Sequence, residues 1–257
     1  NRLYVVALNR NNNQDYLRDA VRRDIAETDI TSVVRVLCTN NQEKGMSSFM
    51  VKSGMLEMWG ISREEIYEQA LKNTERIFKP DMRNIKEILL SGCMETLSEE
   101  EQEEFRGFLN LDIPEQDQRA EKSKEILPYE QYVLTNTAKI NGATAILYPN
   151  LLQGIGEATQ SNFFILPSSI HEVILMKDNG DMNAEELQRM VMEINRTQVA
   201  PEEVLSDEVY SYDYRQQKLT MATSPIQTKE LLDQITGMCD HGDFMEEEQE
   251  ADLCMGE

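Results

Sequence analysis

The chain is poor in the residues that most often carry chemistry. It has two histidines, His171 and His241, and four cysteines, Cys38, Cys93, Cys239 and Cys254. The cysteines lie far apart with no CxxC pair, so no disulfide framework follows, and ordinary usage in a reduced cytoplasm is the expectation. Long apolar runs are missing too. A membrane-spanning helix needs about 20 apolar residues in succession, and no run approaches that, so no membrane partner is expected. The opening NRLYVVALNRNNN has a brief apolar stretch and no small-residue cleavage pattern, and it does not read as a secretory signal.

Positive charge is scarce as well. Lys and Arg total 25 against 47 Asp and Glu, a net charge of −22. Phosphate backbones are gripped by clustered cations, and no basic stripe appears, which disfavours nucleic acid as a partner. The negative charge is unevenly spread. Residues 95–130 hold 12 acids and 4 bases, and residues 239–257 hold 8 acids and no Lys or Arg. The rest is only mildly acidic. Both segments read as solvated, one an insertion or linker and the other a mobile tail whose main effect is solubility.

Against these absences stands an apolar content of 40%, that of a globular protein with an adequate core. DITSVVRVLC (29–38) and SSFMVKS (47–53) predict two strands joined by the polar loop TNNQEKG. Ser62, with Glu65 three residues on, is a capping box, and Ile66, Tyr67, Ala70 and Leu71 give the helix it opens a buried face. Further helices are predicted over 15–26, with Leu17, Ala20 and Val21 facing inward, and over 82–90. In the second half QYVLTNT and ATAILYP predict strands joined through AKING, with Asn141-Gly142 as turn chemistry. PNLLQGIGEATQ reads as a short helix, and NFFIL and EVILM as another pair of strands. Asn183 caps a helix with Leu187, Met190, Val191 and Ile194 on one stripe. Pro201 suits the start of a short helix, and EVYSYDY alternates like an edge strand.

Strands paired through hairpins with helices after them predict an α+β fold, an antiparallel or mixed sheet packed by amphipathic helices, with a hint of two similar halves. The expected division is 1–94 and 131–222 for the halves, 95–130 for the acidic insertion and 223–257 for the tail.

YVLTNTAKINGATAILYPNLL, FFILPSSIHEVILM and MEINRTQVAPEEVLSDEVYSYD together resemble a bacterial family of gut Gram-positive species known as domain-of-unknown-function family 5688. DITSVVRVL followed by MLEMWGISREEIYEQALKNT resembles the family's earlier half. The likeness spans roughly residues 10–215. It implies an intracellular α+β protein, and because the family carries no assigned reaction it implies no functional residue. Members usually have a further N-terminal segment, so a fragment is the expectation, in keeping with a start that lacks Met.

Chemistry is easiest to imagine in the knot LPSSIHEV. HEVIL begins like a zinc-protease helix, but Leu175 stands where the second histidine belongs. Ser168 or Ser169 as a nucleophile with His171 as base is one reading; it lacks an orienting acid, oxyanion donors and a GxSxG elbow. The other is a turn, in which serine hydroxyls bond nearby amides and His171 caps the bend. Asn195 and Arg196 are candidate ligand-binding residues, Arg196 gripping a carboxylate or phosphate by its fork, or else a helix C-terminal cap. Four potential ligands in MCDHGD (238–243) are too crowded to close a tetrahedron, so no metal is expected. GIGEAT is neither a P-loop nor a dinucleotide fingerprint, so no cofactor is expected. Two functions follow: a non-catalytic cytoplasmic module with a protein partner, or a small hydrolase or ligand-binding protein built around Ser168, Ser169 and His171.

Overall fold

A computed structural model of the chain describes residues 2–41, 45–94, 98, 131–167 and 169–223. Apart from Ser98, the acidic segment 95–130 lies outside the described residues. So do Ser168, the MCDHGD stretch and everything from 224 onward. Among the described residues no helix is long and apolar enough to cross a membrane. Helices and antiparallel sheets give an α+β fold with two sheets.

The first sheet contains β1 (Leu3–Asn9), β2 (Arg22–Asp24), β3 (Ile30–Asn41) and β4 (Gly45–Met50). β3 is central and 12 residues long. β1 pairs along one side of it, and β2 and β4 share the other, end to end. Three backbone bonds of 2.8 Å close the junction: Val34 N–H to Val21 O, Val21 N–H to Val51 O, and Val51 N–H to Val34 O. β1 falls on an apolar run for which no element is predicted. The helix expected over 15–26 shrinks to one turn, α1 (Gln14–Leu17), because Arg22–Asp24 pairs with β3 instead. Leu17, Ala20 and Val21 are buried all the same.

After α2 (Ser53–Trp59), α3 (Arg63–Ile77) begins with the predicted box: the Glu65 N–H donates to Ser62 Oγ at 3.2 Å, and the Ser62 N–H to Glu65 Oε2 at 3.1 Å. Its buried Ile66, Tyr67 and Ala70 pack on Val5, Val34 and Val51 of the sheet. No described strand pairs with the outer side of β1. Two threonines answer its amides there. The Val5 N–H donates to Thr74 Oγ1 of α3 at 2.9 Å, and the Ala7 N–H to Thr144 Oγ1 at 3.0 Å.

The second sheet is antiparallel throughout. It contains β5 (Pro80–Asn84), β6 (Gln131–Asn136), β7 (Phe163–Leu166), β8 (Val173–Lys177), β9 (Tyr210–Asp213) and β10 (Lys218–Met221), in the order β10-β9-β7-β8-β6-β5. Residues 80–84, expected mostly within a helix, form β5, and α4 (Ile85–Met94) follows it. The chain passes from the first sheet to the second between α3 and β5. β9 is internal, not an edge, since β10 pairs outside it. ATAILYP is no strand. Gly142–Leu147 is a 3-10 helix whose Ala143, Ala145 and Ile146 are all buried. An unbroken apolar run carries no period, so strand and buried helical turn look alike in it.

α5 (Leu151–Thr159) and the 3-10 helix pack on one face of this sheet, with Leu134, Ile165, Leu175 and Tyr210. α6 (Ala184–Gln198) packs Leu187 and Val191 on the other face, against Phe164, Leu166 and Met176. Its inward stripe is rotated from the expected one: Met190 and Ile194 are exposed, whereas Gln188, Met192 and Asn195 are buried. The two polar side chains turn inward because each finds a partner there, as set out below.

Asp29, at the start of β3, links the sheets. Its buried carboxylate accepts from Asn9 Nδ2 at 2.6 Å, from Ser206 Oγ at 2.8 Å and from the Tyr210 hydroxyl. Asn9 also donates to Leu205 O at 3.0 Å. Burial, with the Asp29 charge beside it, holds the Tyr210 hydroxyl well above its ordinary value, so it stays a donor.

Candidate functional site

The bend between β7 and β8 is built from its own polar side chains. Ser169 Oγ accepts the His171 backbone N–H at 3.0 Å, and the Ser169 N–H donates to Glu172 O at 3.2 Å. Such local bonds are the turn chemistry that serine offers. The imidazole reaches two neighbours. Its Nδ1 accepts the Asn141 N–H at 3.2 Å, and its Nε2 lies 3.3 Å from Glu203 Oε1. An Nδ1 lone pair held by an amide puts the ring proton on Nε2, where it donates to the carboxylate. The ring thus pins residue 141 to the Pro201–Glu203 3-10 helix. The His171 carbonyl accepts Thr135 Oγ1 at 2.7 Å.

Asn195 and Arg196 lie in the last turn of α6, and Asn195 is inside the helix rather than a left-handed cap. Asn195 Nδ2 donates to Ser206 O and to Asp207 Oδ1, both at 2.9 Å. Gln188, one turn pair earlier, donates to Glu208 Oε2 at 2.9 Å. These bonds tie α6 to residues 206–208. No described hydrogen bond joins Asn195 to Ser169 or His171.

Concavity lies elsewhere, on the face of the first sheet opposite α3. Strand alternation and register put Tyr4, Val6 and Leu8 of β1 on that face with Val33, Arg35 and Leu37 of β3 and Met46 and Ser48 of β4. Phe78 and Leu17 cover one part of it. The rest is a solvent-open cavity of about 440 Å³, lined also by Asn13 and Tyr16 and by Ile140 and Asn141. Sites of this size hold small molecules. Val6, Leu8, Met46 and Ile140 supply apolar walls, and among the described residues no Asp or Glu lines it.

Arg35 is the one charged group lining the cavity among the described residues. Its Nε donates to Ser48 Oγ at 2.9 Å, one Nη to Ser48 O at 3.1 Å and the other to the Tyr16 hydroxyl. Ser48 Oγ also accepts from the Tyr4 hydroxyl at 2.8 Å. Burial raises the Tyr4 hydroxyl above its usual range, with Ser48 and the Arg35 charge pulling the other way. A guanidinium has five N–H donors; three have neutral partners here, and among the described residues no carboxylate pairs with it.

The part of the lining at Ile140 and Asn141 depends on the bend. Buried Asn136 organises the loop beyond β6, its Nδ2 donating to Ile140 O at 2.9 Å and its Oδ1 accepting the Ala138 N–H at 3.0 Å. Lys139 and Asn141 both take positive φ, 54° and 50°. His171 then holds the Asn141 amide. A signal for Arg35 was present in the sequence: in SVVRVL it occupies a strand position between Val33 and Leu37, where an apolar residue is expected. Tyr16 and Asn141 carried no such mark.

Residues 1–214 match the model of the Family of unknown function (DUF5688), and the chain belongs to that family. No curated protein and no solved structure matches it.

Proposed function

Starting from membership of a family of unknown function, we propose that the chain is a non-catalytic binding module whose recognition surface is the open face of the first sheet. One observation carries the reading: among the described residues, a half-buried arginine with no acidic partner lines a cavity with no carboxylate in its walls, in a chain with 47 acids. Sites that bind small molecules are concave, largely apolar and orient their ligand with a few polar groups. The hydrolase reading draws less support. A serine proton needs a vacant imidazole lone pair, and the His171 lone pair is occupied by the Asn141 amide. The cytoplasm is the compartment that suits the scattered cysteines. A protein partner is the second reading, favoured by the exposed Met58 and Trp59 at the end of α2.

A mixed set of charged and neutral fragments, followed by amide NMR, tests the proposal. Perturbations are expected at residues 6, 8, 35, 46 and 140. Fragments that gather at His171 and Glu203, together with hydrolysis of an activated ester that His171→Ala abolishes, would replace it with the hydrolase.

A further inference from the structure

We infer that the cavity at Arg35 takes a small organic monocarboxylate, its carboxylate on the guanidinium and its apolar stem along Val6, Leu8 and Ile140. This rests on the reading of the open face as the binding surface and specifies what that surface selects.

Charge limits the ligand first. Among the described residues a single cation lines the cavity, and the other polar groups there, Asn13, Tyr16, Ser48 and Asn141, are neutral. One positive charge balances one negative charge; a phosphate dianion would leave the site with net negative charge in a chain already at −22. Geometry limits it next. Three of the five guanidinium donors are committed to Ser48 and Tyr16, which leaves two N–H groups, the number a carboxylate accepts in a bidentate pair. Those bonds to Ser48 and Tyr16 also fix the guanidinium plane before any ligand arrives, so little side-chain freedom is lost on binding. The walls limit it last. Val6, Leu8, Met46 and Ile140 offer a stem no hydrogen bond but do offer apolar burial.

The same carboxylate chemistry has two sources, a free acid or the C-terminus of a short apolar peptide, and titration separates them. Hexanoate, hexanamide, inorganic phosphate and a tri-leucine peptide with a free or an amidated C-terminus are each added to the full chain and followed by calorimetry and amide NMR. Hexanoate is expected to bind at least about tenfold more tightly than hexanamide, the difference a charge-assisted pair makes. Arg35→Gln removes that preference. Arg35→Lys keeps part of it, since an ammonium supplies the charge without the fork. Should Arg35→Gln fold poorly by circular dichroism, Ile140→Trp at the exposed rim tests the same site by filling the cavity, and it too should abolish binding. A free peptide that binds best, with its amide inert, supports the carboxylate and names the chain terminus as source. Equal binding of hexanoate and hexanamide, or tighter binding of phosphate, overturns the carboxylate assignment while leaving the open face as a binding surface. Silence of the cavity amides toward every probe overturns both.

Discussion

Gly142 shows how a single atom can set the position of a wall. A Cβ there would lie 2.1 Å from Thr135 Oγ1 and 2.3 Å from the His171 carbonyl oxygen, distances no side chain tolerates. The residue follows Asn141, so the close approach is what lets the loop beyond β6 tuck under the β7–β8 bend. Gly142→Ala is expected to destabilise the protein by about 1–3 kcal/mol, the usual cost of overpacking, and to shift the amide signals of residues 140 and 141. A denaturant midpoint unchanged from the parent would refute this. Single residues were the hardest scale to read in advance. The sequence marks Asn141-Gly142 as the turn of a hairpin; Asn141 does take a positive φ, but Gly142 opens a 3-10 helix instead of a second strand, and nothing local says that Thr135 and His171 close over it. Asp29 looked like the first residue of a strand. Its role in accepting from Asn9, Ser206 and Tyr210 depends on partners up to 181 positions away. His171 was legible as a bend residue, yet its ring partners, Asn141 and Glu203, come from two other segments.

Elements whose signals are local were legible, and α3 is the clearest. Capping box, apolar spacing and buried face all follow from residues within one or two turns, and all are present. Ser62→Ala should therefore cost about 1 kcal/mol, as loss of an N-cap usually does. Acid tests the other half of the box. The hydroxyl and backbone N–H of Ser62 hold the Glu65 carboxyl below its ordinary value of 4.5. A group whose pKa falls on folding stabilises the fold above the unfolded value, and that contribution disappears as pH drops through the folded one. Glu65→Gln should flatten the stability profile below pH 4.5 and leave its neutral region parallel to that of the parent, as read from urea midpoints across pH. α6 was found with the right cap and the wrong face. Periodicity favoured Met190 and Ile194, because nothing in the helix itself shows that Glu208 and residues 206–207 wait to bond Gln188 and Asn195. The 3-10 helix over Gly142–Leu147 lies where a strand is expected, because its apolar run has no alternation to tell the two apart.

For the molecule as a whole the fold class was legible and the strand order was not. Hairpins such as β3–β4 and β7–β8 declare themselves by short polar connections. The pairing of β5 with β6 and the insertion of β9 between β7 and β10 are long-range choices, made by which apolar faces meet. Burial of tyrosine follows from those choices. Tyr4, Tyr67, Tyr148, Tyr210 and Tyr212, among nine in the chain, are all held above the ordinary value of 10.0, burial being the largest cause in each. Here the sign is opposite to that of Glu65. A pKa raised on folding stabilises the protein fully below the unfolded value and is lost as pH climbs through the folded one. Stability should therefore decline above pH 10, and in a tyrosinate absorbance titration these five rings should ionise only as the fold opens. A single smooth transition for all the tyrosines in native protein would contradict that.

The two threonines beside β1 bear on a hazard common to sheet proteins. Unanswered amides along an outermost strand can recruit the same strand of another copy, and repetition of that step yields a fibre. Here the Val5 and Ala7 amides are already satisfied by hydroxyl groups of the chain itself. An incoming backbone would have to displace intramolecular bonds before gaining any of its own, so addition there is blocked with neither proline nor lysine on the strand.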